Sequence, residues 1–200
     1  MKKYITEFIG TFFLVLTIGL TGNPFAIGAV LMVMVYAGGH ISGAHYNPAV
    51  TLAVLIRGRI KAGEAMVYML TQVAGAAAAA LLVGYFKEQP AAASQSIDQT
   101  KALIAEILGT FALAYVVLNV ATAKANNGNS YYGLAIGFTV LAMAFSFGDY
   151  SGGAFNPAVA VGASVMKAFE WSNIWVYLAG CFGGAILAAL VFNMNNAEDK

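Results

Sequence analysis

Charge is scarce in this chain. Only 10% of its 200 residues are Asp, Glu, Lys or Arg, against about 25% in an ordinary soluble domain. So few charges do not cover a soluble surface, and a soluble globular protein is excluded. The net charge is only +1, which removes the electrostatic reason to expect nucleic acid as a partner. Cysteine occurs once, at Cys181. A single thiol excludes an internal disulfide and falls short of a metal cluster; its simplest reading is a small apolar packing residue. No nucleophile–base arrangement and no cofactor-binding loop stands out, so neither an enzyme nor a cofactor is expected. The N-terminal "MKKYITEFIGTFFLVLTIGLTG" has two lysines before an apolar run but no small-x-small cleavage site. It reads as a retained first span rather than a signal peptide.

What is present is apolar: 60% of the residues are hydrophobic and the mean hydropathy is +0.75. A membrane span needs about 20 largely apolar residues. Six stretches qualify: Tyr4–Leu20, Phe25–Ala37, Ala65–Tyr85, Ala102–Ala123, Tyr132–Phe147 and Ile174–Phe192. Two shorter ones, Ala49–Ile56 and Ala158–Met166, begin just after Asn-Pro. At about 1.5 Å per residue each reaches about half of the ~30 Å hydrocarbon core. They read as half-helices that enter from one side and stop in the middle.

The chain also repeats itself. Asn47 and Asn156 lie 109 residues apart. The same offset places Ala26-Ile27-Gly28 on Ala135-Ile136-Gly137, Ser42-Gly43 on Ser151-Gly152, Tyr68 on Tyr177, and Gly75-Ala76 on Gly184-Ala185. The first spans match at an offset of 99, "EFIGTF" at Glu7–Phe12 against "EILGTF" at Glu106–Phe111. This is a tandem duplication: residues 1–86 form one repeat, 101–194 the other, 87–100 an external linker, and 195–200 a cytoplasmic tail. Each repeat has three spans and one half-helix. An odd number of spans inverts the second copy, an architecture whose functional sites lie at the midplane interface of the repeats. With both termini in the cytoplasm, Lys2, Lys3, Arg57, Arg59, Lys61, Lys124 and Lys200 lie inside, and Lys87, Lys101 and Lys167 outside. That is a positive-inside distribution.

The segments "GGHISGAHYNPAVTLAVLIRG" and "GDYSGGAFNPAVAVG" interrupt this apolar chain with polar residues. Irregular backbone at membrane depth survives only when it is buried in protein or lines a water-filled cavity. Proline suits the first turn of a helix and asparagine is a good N-cap. Asn47-Pro48-Ala49 and Asn156-Pro157-Ala158 therefore read as helix starts at mid-membrane. Their positive dipole ends, about half an elementary charge each, face each other, and the asparagine amides offer donors to a passing oxygen. Dipoles so placed exclude cations and protons.

The duplicated "HYNPAV" and "AFNPAV", with "EFIGTF" and "EILGTF" opening the two halves, resemble the aquaporin, or major intrinsic protein, family over essentially the whole chain. The resemblance implies an all-α membrane protein: six transmembrane helices and two re-entrant half-helices in an inverted tandem repeat. It also implies one pore per subunit, a homotetramer in a lipid bilayer, and passive permeation of water or small neutral solutes. The family's narrow outer filter falls, by its spacing from the two asparagines, on Ile27, Ala144, Gly153 and Val159. Arginine is usual at the last position; here it is valine. Water-selective members carry an aromatic residue and a histidine at the first two positions, where this chain has isoleucine and alanine. Glycerol-conducting relatives have aspartate where this chain has Ala160. The ring is apolar and wider than usual, and it lacks up to five donors and a fixed charge. Two consequences compete, since a wider ring admits larger neutral solutes whereas an apolar one dewets and resists water.

Glu7 and Glu106, charged residues within spans, are expected to accept hydrogen bonds from the irregular loops and hold them in place; proton coupling is the competing reading. His40 and His45 are expected to help fix the first loop, with a pH-sensitive gate as the alternative. No metal is expected. Arg57 and Arg59 read as inner-interface anchors, and Trp171 and Trp175 as outer ones. The function expected is a water channel with leakage of glycerol, urea or ammonia. The alternatives are a solute facilitator of little water selectivity, a proton-coupled secondary transporter and a structural junction protein. The location expected is a bacterial-type inner or plasma membrane.

Overall fold

The computed structural model describes residues 1–87 and 97–199. Most of the sequence-assigned linker, and Lys200 of the tail, lie outside the described residues. The elements are α1 (Lys2–Thr21), α2 (Pro24–Ser42), α3 (Pro48–Ile56), α4 (Ala62–Lys87), α5 (Gln99–Thr122), α6 (Tyr132–Ser151), α7 (Pro157–Val165) and α8 (Ile174–Asn195), with short 3-10 turns at Lys124–Asn126 and Trp171–Asn173. Six helices are long and apolar enough to cross a membrane. The other two, α3 and α7, have nine residues each and extend about 14 Å, too short to cross.

Packing obeys the duplication. α1 lies on α4 as α5 lies on α8, and α2 packs against α6 across the junction of the repeats. Small residues set these approaches. The Cα of Gly28 and that of Gly137 each face the other's carbonyl oxygen; Gly75 faces the Phe8 carbonyl, as Gly184 faces that of Ile107. A Cβ at any of the four would force the helices apart. The half-helices interlock the repeats, since α3 packs on α8 and α7 on α4.

Several boundaries differ from the sequence reading. The second and fifth spans do not end at Ala37 and Phe147. Both helices run on, to Ser42 and Ser151, where Gly43 (φ 87°) and Gly152 (φ 84°) close them in the left-handed conformation. The Gly38–Ser42 stretch is thus helical, and within it a Cβ at Gly38 would overlap the Tyr46 hydroxyl. α2 begins at a third Asn-Pro pair, where the Asn23 side chain accepts from the Phe25 and Ala26 amides. α5 begins at Gln99, inside the expected linker; Asp98 caps it through the Thr100 and Lys101 amides.

The tail is docked rather than free. Asp199 Oδ1 lies 2.9 Å from Arg57 Nη2, 3.4 Å from Arg59 Nη2 and 3.8 Å from Lys124 Nζ. Its Oδ2 accepts the Lys124 backbone N–H at 2.7 Å. Arg57, expected as an inner-interface anchor, is buried by this contact rather than exposed. Its side chain is only 4% exposed, and its guanidinium lies 5.0 Å above the Phe192 ring. Asp199 thereby ties the end of α3 to the 3-10 turn after α5. The Lys124 amide, and then the Arg57 and Lys124 charges, hold the Asp199 carboxyl below its usual range.

Replacing Asp199 with alanine should lower the melting temperature of the detergent-solubilised protein at neutral pH. A depressed carboxylate pKa stabilises fully above the ordinary aspartate value near about 4 and loses that contribution as the pH falls through the lowered folded value. Melting curves of wild type and Asp199→Ala should therefore converge on the acid side and separate at neutral pH.

Candidate functional site

Two buried carboxylates organise the centre of the bundle. Glu7 and Glu106 are completely buried, on α1 and α5. Glu7 Oε1 accepts from Ser42 Oγ at 2.6 Å and the His45 amide at 3.0 Å; Oε2 accepts from the Tyr46 amide at 2.7 Å and Gln72 Nε2 at 2.8 Å. Glu106 repeats the pattern. Its Oε1 accepts from Ser151 Oγ at 2.7 Å and the Ala154 amide at 2.9 Å, and its Oε2 from the Phe155 amide at 2.7 Å and Cys181 Sγ at 3.4 Å. Each carboxylate thus receives four donors, two of them backbone amides of the loop ahead of a half-helix. Each glutamate therefore bonds two amides of the loop in its own half.

The loops need holding because their backbone is strained. Gly43, Ala44 and Tyr46 have positive φ, as do Gly152, Gly153 and Phe155 at the equivalent places. For a residue with a Cβ this region costs about 1–2 kcal/mol, and it persists only where surrounding bonds over-determine it. The left-handed turn drives the Tyr46 and Phe155 side chains inward, to 0% and 1% exposure. Each ring lies against a glycine, Tyr46 on Gly10 and Phe155 on Gly109, where any Cβ would overlap it. The "EFIG" and "EILG" motifs therefore have a single cause. One helix face supplies the carboxylate and, three residues on, the space for the aromatic ring that the same loop turns inward. Tyr68 and Tyr177 complete each site by donating to the Ser42 and Ser151 carbonyls at 2.9 and 2.7 Å.

The asparagines cap their own helices and bind each other's loops. Asn47 Oδ1 accepts from the Ala49 and Val50 amides at 2.8 and 3.4 Å; Asn156 Oδ1 accepts from the Ala158 and Val159 amides at 2.9 and 3.4 Å. Pro48 and Pro157 occupy the first helical positions, where no amide donor is required. Asn47 Nδ2 then donates to the Phe155 carbonyl, and Asn156 Nδ2 to the Tyr46 carbonyl, both at 2.9 Å. The two half-helices start tip to tip, joined by a reciprocal pair of hydrogen bonds. Each amide retains a second N–H.

A cavity of about 1040 Å³ runs past these tips. Its wall includes Asn47, Asn156, Ile27, Ala144, Gly153 and Val159, together with Leu14, Leu31, Val50 and Ile136. The four positions assigned to the filter thus border one space with both asparagines. Neither Glu7 nor Glu106 is among the lining residues.

The two histidines part company. His45 Nδ1 is 3.1 Å from Thr51 Oγ1. Thr51 Oγ1 also lies within hydrogen-bond distance of the Asn47 carbonyl and of Gln72 Nε2, so the ring joins a polar network beside the loop. It therefore supports the loop. His40, by contrast, is exposed on the last turn of α2 and makes no side-chain hydrogen bond to the loop among the described residues. The reason is that α2 continues through it and directs it outward. No group of three or more His, Cys, Asp or Glu converges on a metal-sized site among the described residues.

The sequence reading missed Gln72, whose partner Glu7 is 65 positions away, and the serine hydroxyls. Cys181 is more than packing, since its thiol stands at the place Gln72 occupies in the first half and faces the equivalent carboxylate. The 109-residue offset relates the two positions and was the available signal.

Glu7→Ala and Glu106→Ala should each cost at least about 3 kcal/mol, since several buried donors lose their only partners at about 1–3 kcal/mol apiece. Thermal unfolding in detergent checks this: either variant should melt well below wild type, and Glu106→Gln, which keeps one acceptor oxygen, should lie between.

Comparisons with known proteins agree with this geometry. The family model of the major intrinsic proteins matches residues 1–192. Aquaporin NIP1-1 of Zea mays is 36% identical over 218 residues, covering all of this chain and 77% of the relative. Glycerol uptake facilitator protein-like 6 of Lactiplantibacillus plantarum is 35% identical over 222 residues, covering all of both chains. The X-ray structure of the aquaglyceroporin from Plasmodium falciparum superposes with a TM-score of 0.81, over 99% of this chain and 98% of that one, at 22% identity; it shares the fold. With its two half-helices joined at their tips inside six apolar helices, this chain belongs to the major intrinsic protein family and is an integral membrane channel.

Proposed function

We propose that the chain conducts water and small neutral solutes passively, through one pore per subunit, with the asparagine pair at its centre. The observation that carries the reading is the reciprocal bonding of Asn47 and Asn156 on the wall of a single cavity. It sets two helix N-termini and two amide donors at one point of the path. A neutral oxygen passing there is held by the donors, while a cation meets two positive dipole ends.

Ile27, Ala144, Gly153 and Val159 are proposed as the narrow ring, and it contains no side-chain donor. This favours a pore that passes glycerol, urea or ammonia as well as water, and it gives the second reading, a solute facilitator of little water selectivity, its support. The names of the relatives, aquaporin and glycerol uptake facilitator, agree with both. Proton coupling is disfavoured. Both carboxylates at the centre are filled by four donors each and stand behind the wall.

The repeats are proposed as 1–86 and 101–194, both termini as cytoplasmic, and the assembly as a homotetramer. Exposed apolar side chains such as Ile5, Ile9 and Phe13 on α1 suit lipid or a sister subunit. A bacterial-type inner or plasma membrane agrees with the end-to-end match to the Lactiplantibacillus plantarum relative.

Stopped-flow light scattering on proteoliposomes tests the reading. Osmotic water permeability should rise over empty liposomes with a low activation energy, and glycerol or urea should enter measurably; no rise in either overturns the proposal. Val159→Arg should cut glycerol entry by about tenfold, equivalent to about 1.4 kcal/mol on the barrier, while water flux persists. Unchanged glycerol entry would move the filter elsewhere.

A further inference from the structure

Beyond the ring itself, we propose that Lys167 is a specificity-determining residue: its ammonium supplies, from the mouth at the C-terminal end of α7, the fixed positive charge that position 159 lacks. This rests on the channel reading above.

Lys167 follows the C-cap of α7 and has φ of 62°. It is one of four described non-glycine residues with positive φ. The other three, Ala44, Tyr46 and Phe155, belong to the carboxylate-held loops. Its repeat mate, at the offset of 109, is Gly58, with φ of 79°. The slot is one that a glycine fills without strain. Ending the half-helix therefore needs no lysine there, although a cation at a helix C-terminus is modestly favoured by the helix dipole.

The surroundings supply a further reason for the lysine. The turn is locked by the Lys167 amide donating to the Ser164 carbonyl at 3.1 Å and the Ala168 amide to that of Ala163 at 2.8 Å. Phe169 anchors it further, stacking on Tyr177 at a centroid distance of 4.4 Å and filling the space beside Gly152. The turn is thus fixed against the loop that carries Gly153. Lys167 lines the same cavity as Ile27, Ala144, Gly153 and Val159. Among the described residues, the charged ones on that wall are Lys87, Asp149 and Lys167, a balance of one positive charge. Lys167 forms no ion pair among the described residues, whereas Arg57 and Arg59, which flank Gly58 at the equivalent place, are tied to Asp199. Among the described residues, the cations at one end of the pore are paired with Asp199, and Lys167 at the other has no ion pair.

A charge at the mouth of a cleft with low-dielectric walls focuses its field along the path and lowers the local concentration of like charge. Neutral solutes feel little of it. Lys167 would thus oppose cations at the entrance, upstream of the half-helix dipoles.

The test compares wild type, Lys167→Gly, Lys167→Arg and Lys167→Glu in proteoliposomes, reading water permeability, sodium leak and melting temperature. Lys167→Gly suits the backbone, so it should fold at least as stably and conduct water within about twofold of wild type. Its sodium leak should rise by about threefold to tenfold at low ionic strength, the effect expected of one wet charge at close range. The rise should shrink in molar salt, where screening falls to about 3 Å. Lys167→Glu should leak more, and Lys167→Arg should match wild type. Water-conducting variants with the sodium leak of wild type would overturn this proposal alone, as would a Lys167→Gly protein that melts lower and conducts less, which marks a structural role. A wild type that conducts nothing overturns the channel reading as well.

Discussion

Backbone amides that turn inward within a lipid-embedded bundle have no water to bond. Glu7 and Glu106 answer that constraint, and the rest of the centre depends on them. Burying a carboxylate costs several kcal/mol, which only a full set of donors offsets. Each glutamate obtains its set from a serine at the end of a helix, two amides of an irregular loop and a side chain from a neighbouring span. The charge and the strained loop are each untenable alone and stable together. The same pairing explains the glycine three residues after each glutamate, which leaves room for the ring the loop turns inward.

From that anchor the pore follows. The loop places an asparagine at the head of each half-helix. The asparagine caps its own helix and bonds the carbonyl just ahead of the other asparagine. Each tip therefore fixes the opposite one, and the distance between the dipole ends is set by hydrogen bonds rather than by the packing of long side chains. The wall around them is mainly apolar, so the amides and dipoles act in a setting where charge is poorly solvated.

The symmetry that builds the centre is relaxed around it. In the first half Gln72, Thr51 and His45 form a polar network beside Glu7. In the second, Cys181 and Ala160 occupy the places of Gln72 and Thr51, and the Thr110 and Ser164 hydroxyls are buried without a hydrogen bond among the described residues. The ends of the half-helices differ too, with Arg57 and Arg59 drawn to Asp199 at one and Lys167 at the other. Duplicated geometry makes the barrier, and unlike mouths give the two sides different chemistry.

Much of this was legible in the chain. Six spans, two half-helices and the duplication follow from run lengths, spacing and the position of Asn-Pro, because those signals are local or periodic. That Glu7 and Glu106 need partners followed from the cost of a charge within a span. His40 did not behave as expected, and Arg57 proved buried, because an outward turn of a helix and a docked tail are decided by packing. The amino-acid sequence by itself determined that the chain crosses a membrane six times, inverts, and stops two helices halfway. Only the tertiary structure decided which donors meet which acceptors. Ser42 is 35 residues from Glu7, Phe155 is 108 from Asn47 and Asp199 is 140 from Arg59. At such separations no local preference selects a partner; close packing of the helices does.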